Sequence, residues 1–83
     1  MDIQGVPAVV TGGASGLGEA TARFLASQGA KVAVFDVQMD KAEAVAKEIG
    51  GIAVFCDVTS ADSAEQAMQT AKEAHGLCGI AVN

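Results

Sequence analysis

The sequence predicts an α/β fold, a doubly wound parallel sheet, and three observations carry that prediction. Short β-branched and apolar runs alternate along the chain with amphipathic segments of helical period, the pattern of strand–helix–strand units with right-handed crossovers. The first apolar run, Val9-Val10-Thr11, breaks straight into a glycine-rich turn, Gly12-Gly13-Ala14-Ser15-Gly16-Leu17-Gly18, and a helical pattern opens directly behind it. An acidic residue, Asp36, closes the second apolar run eighteen positions after Gly18.

Each element can be justified in turn. The first strand covers residues 8–11, with Pro7 at its entrance, where a missing N–H matters little. The first helix covers 16–28: Leu17, Ala20, Thr21, Phe24 and Leu25 share one face, and Glu19 and Arg23 make an i,i+4 pair on the solvent side. Gly29 stands where a left-handed stop is wanted. Residues 31–36, K-V-A-V-F-D, form the second strand, almost continuously apolar as in strands buried on both faces. The second helix runs from about 40 to 49, with Asp40 and Glu43 as a capping pair and Ala42, Val45, Ala46 and Ile49 as the buried stripe. Gly50-Gly51 ends it, and residues 52–56 are the third strand. Ser60 caps a third helix ending near His75, whose stripe is Ala64, Ala67, Met68, Ala71 and His75, with Met68 in the core. Residues 80–82 begin a fourth strand. By analogy with dinucleotide-binding folds the strand order is 3-2-1-4, with crossovers one and two on one face and crossover three alone on the other.

Composition narrows the function classes. Eighty-three residues make one small domain at most, or part of a larger one. The chain is 51 % hydrophobic, only 4 % aromatic and 18 % charged, which fits a core-rich piece and argues against disorder. A formal charge of −5 disfavours nucleic acid or an anionic membrane as a partner, since neither would meet a basic patch. There is no apolar run of transmembrane length and no signal-peptide pattern, so a cytoplasmic location is expected. Cys56 and Cys78 are too few and too isolated for a disulfide framework or a zinc site, and Cys56 reads as a small core residue. His75, at the end of a helix beside Gly76, reads as a partner of the helix dipole rather than a catalyst.

The glycine turn carries the chemistry. A helix starting near Gly16 directs its first N–H groups, which lack intrahelical acceptors, into the turn, and these groups and the positive end of the dipole suit a pyrophosphate. The spacing T-G-x-x-x-G-x-G at Thr11, Gly12, Gly16 and Gly18 differs from the more familiar G-x-G-x-x-G. It resembles the cofactor loop of the short-chain dehydrogenase/reductase family, whose fold is a Rossmann sheet. The resemblance extends from about Gly5 to Asn83, with the wording V-T-G-G-A-S-G-L-G-x-A-T, D-V-T-S and A-V-N leaning toward the branch that oxidises 3-hydroxyacyl-CoA thioesters.

The resemblance implies specific roles. Gly12, Gly16 and Gly18 form the phosphate loop, and Ser15 and Leu17 lie where the family approaches the phosphates. Asp36 would accept from both hydroxyls of the adenosine ribose and repel a 2′-phosphate. The positions where NADP-preferring members carry a basic residue hold Ser15 and Val37, so the implied cofactor is NAD. Asp57-Val58, directly after Cys56, resembles the pair beside the adenine, and Asn83 matches the first position of the N-[NC]-A-G segment. Gly79 stands where the family often has an Asp. Plainer readings stay open: Asp36 as a strand-end turn former, Asp57 as part of the turn capping the third helix, and Ser15 bonded within its own turn.

Family members use a Tyr, kept acidic by a nearby Lys, as the proton partner of hydride transfer. This sequence has no Tyr, so a Tyr-x-x-x-Lys motif is absent, and no catalytic residue or metal ligand is assigned. The favoured expectation is that residues 1–83 are the NAD-binding portion of a single domain, truncated before its catalytic half. The intact protein would be an NAD-dependent oxidoreductase of a hydroxy or keto substrate, with 3-hydroxyacyl-CoA as the candidate the resemblance offers, and a homo-oligomer. The alternatives are a non-catalytic nucleotide-binding module, or a doubly wound domain for another ligand such as S-adenosylmethionine or a flavin.

Overall fold

A computed structural model describes residues 2–83. Seven elements follow in strict alternation: β1 (Pro7–Thr11), α1 (Gly16–Ser27), β2 (Lys31–Asp36), α2 (Met39–Ile49), β3 (Ile52–Phe55), α3 (Ala61–His75) and β4 (Ile80–Val82). The four strands form one parallel sheet in the order β3-β2-β1-β4, as the sequence predicts. Register sets Val9 beside Ala33 and Ala81, and Thr11 beside Phe35, so the strands end together above the glycine turn.

The strand period of two sorts the apolar residues onto two faces. Ala8, Val10, Val32 and Val34 pack with Ala22 and Leu25 of α1 and Ala42, Val45 and Ala46 of α2. Val9, Ala33, Phe35, Val54 and Cys56 pack with Ala67 and Ala71 of α3. Crossovers one and two therefore share a face and crossover three has the other to itself. Burial on both sides explains why β1 and β2 read as unbroken apolar runs. Because α3 packs on β3 and β2, the second face is open beneath β1 and β4. A notch of about 280 Å³ lies there, lined by Val9, Phe35, Cys56, Ala64, Met68 and Ala81 among others.

Three sequence expectations need correction. The buried side of α1 is the Ala22 and Leu25 side, whereas Leu17 and Phe24 are 83 % and 62 % exposed. The face that packs in the core is rotated from the one periodicity picks, so Leu25 is covered and Leu17 and Phe24 are not. Met68 is 39 % exposed, because it borders the open notch rather than a covered core. Asp40 is not a cap: α2 begins one residue earlier, with Gln38 at its N-cap and no side-chain cap bond. The Asp36 carboxylate accepts from Gln38 N at 3.0 Å and turns the chain into the helix instead. The Ser60 cap is present, accepting from Ser63 N at 3.2 Å. Arg23 bonds Glu19 at 2.8 Å and also reaches Glu48 at 2.8 Å, tying α1 to α2. Solvent-screened pairs of this kind contribute little to stability.

Burial separates the two thiols. Cys56 is buried, which pushes its thiol pKa up, and the charge of Asp57 adds to the rise. Cys78 is half-buried and donates to Ile80 O at 3.0 Å. A limiting amount of alkylating reagent is expected to label Cys78 first and Cys56 only after unfolding. Equal labelling in a peptide map of the native chain would contradict this burial.

Candidate dinucleotide site

The C-terminal ends of the parallel strands carry a loop pinned from below. Phe35 O, at the end of β2, accepts from Gly12 N at 2.8 Å and from Gly13 N at 3.3 Å. Asp36 Oδ2 accepts from the next amide, Ala14 N, at 3.1 Å. Three successive amides of the loop are thus fixed to one strand end. Ser15 is extended, with φ −157° and ψ 164°, and its side chain makes no cap bond, so the Ser15 hydroxyl is not engaged in its own turn as one plain reading held. Gly16 then opens α1 with φ +58°. Among the backbone bonds of this turn, Glu19 N reaches back to Ser15 O at 3.3 Å, leaving the preceding N–H groups of the first turn without intrahelical acceptors.

Glycine is required here for two separate reasons. Gly12 and Gly16 have φ of +66° and +58°, a region costly for other residues, and a Cβ on either would meet nothing within 4 Å. That open space lies over the loop, where a phosphate could approach the backbone. Gly18 is the opposite case, because its Cβ would stand 2.1 Å from Gly12 O and 2.8 Å from Gly12 C. The first turn of α1 lies directly on the loop. Free N–H groups, a positive helix end and unobstructed backbone fit a pyrophosphate.

The remaining sequence-selected residues gather at the same edge in different states. Leu17, Val37 and Val58 are exposed, and Ser15 stands on the rim. Asp57 Oδ1 accepts from Thr59 N at 2.9 Å and from the Thr59 hydroxyl, so the turn-forming reading of Asp57 is realised. Those two bonds hold its pKa below the ordinary carboxylate value. The Cys56 side chain points into the second cluster, leaving its main chain as the part on the site side; Cys56 N donates to Asp36 O at 3.2 Å. Thr11 Oγ1 lies 3.2 Å from both Val82 O and Asn83 Oδ1, joining the ends of β1 and β4. A small cavity of about 120 Å³ sits between them, lined by Gly12, Leu17, Gly18, Thr21, Val82 and Asn83 among others. His75 lies half-buried at the far end of α3, and its Nδ1 has no partner among the described residues.

Three residues of the motif take part through contacts that residue type and spacing do not indicate. Thr11 was legible as the residue before the first loop glycine, but its partners lie 71 and 72 residues away. Gly13 is buried, and a Cβ there would press on Val34 Cγ1 at 2.9 Å. Ala14 meets Asp36 through its main-chain N–H, and no side-chain pattern signals that bond.

Comparison with known proteins agrees with this geometry. The family model for short chain dehydrogenases matches residues 7–83. The chain belongs to the short chain dehydrogenase family. It is 48 % identical over 83 residues to the 3-hydroxyacyl-CoA dehydrogenase type-2 of Drosophila melanogaster, covering 98 % of this chain and 32 % of that protein. The human protein of the same description is 45 % identical, with the same coverage. Among solved structures, a hydroxysteroid dehydrogenase from Escherichia coli superposes with a TM-score of 0.94 at 32 % identity, over 98 % of this chain and 36 % of that one. A 3-ketoacyl-(acyl-carrier-protein) reductase from Brucella melitensis complexed with NADH gives 0.92 at 34 % identity, over 95 % of this chain and 33 % of that one. The chain therefore spans about a third of the length of the short chain dehydrogenases it matches.

Proposed function

We propose that this chain forms the NAD-binding portion of an oxidoreductase that transfers hydride to or from a hydroxy or keto substrate, with 3-hydroxyacyl-CoA as the favoured substrate class. The observation that carries the cofactor reading is Asp36. Its carboxylate stands at the end of β2, bonded to the glycine loop, beside the open N-terminus of α1. A ribose seated there would offer hydroxyl donors to the carboxylate, and a 2′-phosphate would meet like charge. Neither Ser15 nor Val37 supplies a cation to offset that repulsion. The bound group would supply the hydride chemistry. These residues would contribute the phosphate cradle at Gly12–Gly18, the ribose acceptor at Asp36, and a wall at Val37, Val58 and Asn83.

The substrate class is supported by likeness to relatives described as 3-hydroxyacyl-CoA dehydrogenase type-2. The 83 residues contain no Tyr, so on this reading they bind the cofactor without turning it over. The intact protein is proposed to act as a homo-oligomer in the cytoplasm.

Titration with NAD and NADP tests the reading. NAD is expected to bind at least about tenfold more tightly, equivalent to roughly 1.4 kcal/mol of discrimination. Equal affinities would overturn the NAD assignment. Binding of S-adenosylmethionine or a flavin, with no competition from ADP-ribose, would overturn the dinucleotide reading altogether.

A further inference from the structure

The Asp36 carboxylate has two occupations before any ligand arrives. Oδ1 accepts from Gln38 N at 3.0 Å, a local bond that turns β2 into α2. Oδ2 accepts from Ala14 N at 3.1 Å, across 22 residues of sequence. The second bond is not needed to end the strand. It falls on the loop residue from which the chain must leave the sheet and enter α1.

Ala14 is held from both sides. Its methyl group is buried in the first cluster, at 3 % exposure, and its N–H is taken by Asp36. The two preceding amides are fixed by Phe35 O, but Ser15 has no side-chain bond to steady the helix start. Ala14 N is therefore the last anchored amide before the N–H groups of the first turn. A carboxylate is well suited to this task, because its charge strengthens a bond from an amide beyond what a neutral acceptor at the same distance gives.

We propose that Asp36 is a positioning residue for the phosphate loop, holding Ala14 N–H so that the start of α1 faces the pyrophosphate. The same carboxylate that selects the ribose would thus set the geometry of the phosphate site. Substitutions made at Asp36 to change cofactor preference would loosen the loop as well. The consequence for binding rests on the nucleotide reading given above; the clamp itself does not.

Asp36→Ala removes both acceptors, and the decisive ligand pair is ADP with 2′,3′-dideoxy-ADP. The dideoxy compound has no ribose hydroxyl for Asp36 to read. With the clamp in place, Asp36→Ala is expected to weaken both ligands, the dideoxy compound by about tenfold. Amide hydrogen exchange at Ala14 is expected to accelerate by a similar factor, while Val10 and Val34 keep their protection. Unchanged dideoxy-ADP affinity with weakened ADP, or unchanged Ala14 exchange, would overturn the proposal and leave Asp36 a reader of the ribose alone. A uniform rise in exchange that includes Val10 and Val34 would signal lost folding in the variant. In that event the unmutated chain decides: a scalar coupling across the hydrogen bond, between the Ala14 amide nitrogen and the Asp36 side-chain carboxyl carbon, supports the clamp, and its absence overturns it. If the unmutated chain binds neither nucleotide, the proposed function fails, and the Ala14 measurements still decide the clamp.

Discussion

Gly18→Ala is expected to abolish measurable dinucleotide binding while leaving the sheet intact. The added Cβ would lie 2.1 Å from Gly12 O, 2.8 Å from Gly12 C and 3.2 Å from Gly13 Cα. Every one of these atoms is backbone, so no side-chain rotation relieves the contact. Either the start of α1 lifts off the loop, or Gly12 and Gly13 move away from Phe35 O, which accepts from both of their amides. Both routes displace the N–H groups that would meet a pyrophosphate. Overpacking of this kind costs about 1–3 kcal/mol in stability, so the fold should survive with a lowered melting temperature. Gly16→Ala provides the contrast. Its Cβ would meet nothing within 4 Å, and its cost is the left-handed backbone at φ +58°, about 1–2 kcal/mol. Calorimetric titration with NAD on both variants, with circular dichroism for the fold, separates the two effects. Wild-type affinity in Gly18→Ala would mean that the helix start is not the phosphate site.

The contrast shows what sequence can and cannot convey. The glycine spacing was readable, and so was the division of labour between strands, because Val9 and Val10 must point to opposite faces whatever their partners. The faces of α1 were not. Apolar periodicity ranks Leu17 and Phe24 as inward, yet Ala22 and Leu25 are the residues packed in the core, and Gly18 lies against the loop. Helical period gives a stripe, and only packing chooses among neighbouring stripes. The start of α2 went astray for a related reason. Asp40 has the chemistry of a cap, but Asp36 reaches Gln38 N first. At the site, Asp36 and the loop glycines were legible as residue types at a known spacing. The Ala14 bond to Asp36 was not, since it joins a main-chain amide to a side chain across a crossover. Asp57 was legible in position, and its bonds to Thr59 required the turn to be seen.

Phe35→Ala is the substitution expected to cost most in stability, and it ties the core to the site. Phe35 is 2 % exposed and is the largest fully buried side chain, packed with Val9, Val54 and Cys56 on the face that α3 covers alone. Truncating a buried phenylalanine costs about 3–5 kcal/mol. A chain of this length has roughly 4–12 kcal/mol in total, so the variant is expected to lose a large share of its stability and, at the lower end of that range, to lie close to its midpoint at room temperature. The open notch already borders Phe35, so truncation enlarges it instead of creating a closed void. Loss should not stop at the core. Phe35 O holds Gly12 N and Gly13 N, and the next residue holds Ala14 N, so a loosened end of β2 releases the loop. Phe35→Leu keeps most of the volume and should cost less than about 1.5 kcal/mol, with nucleotide affinity retained. Urea unfolding of the two variants measures the difference directly. A Phe35→Ala chain as stable as Phe35→Leu would show that the second face contributes little, and that the sheet is held by the α1–α2 side alone.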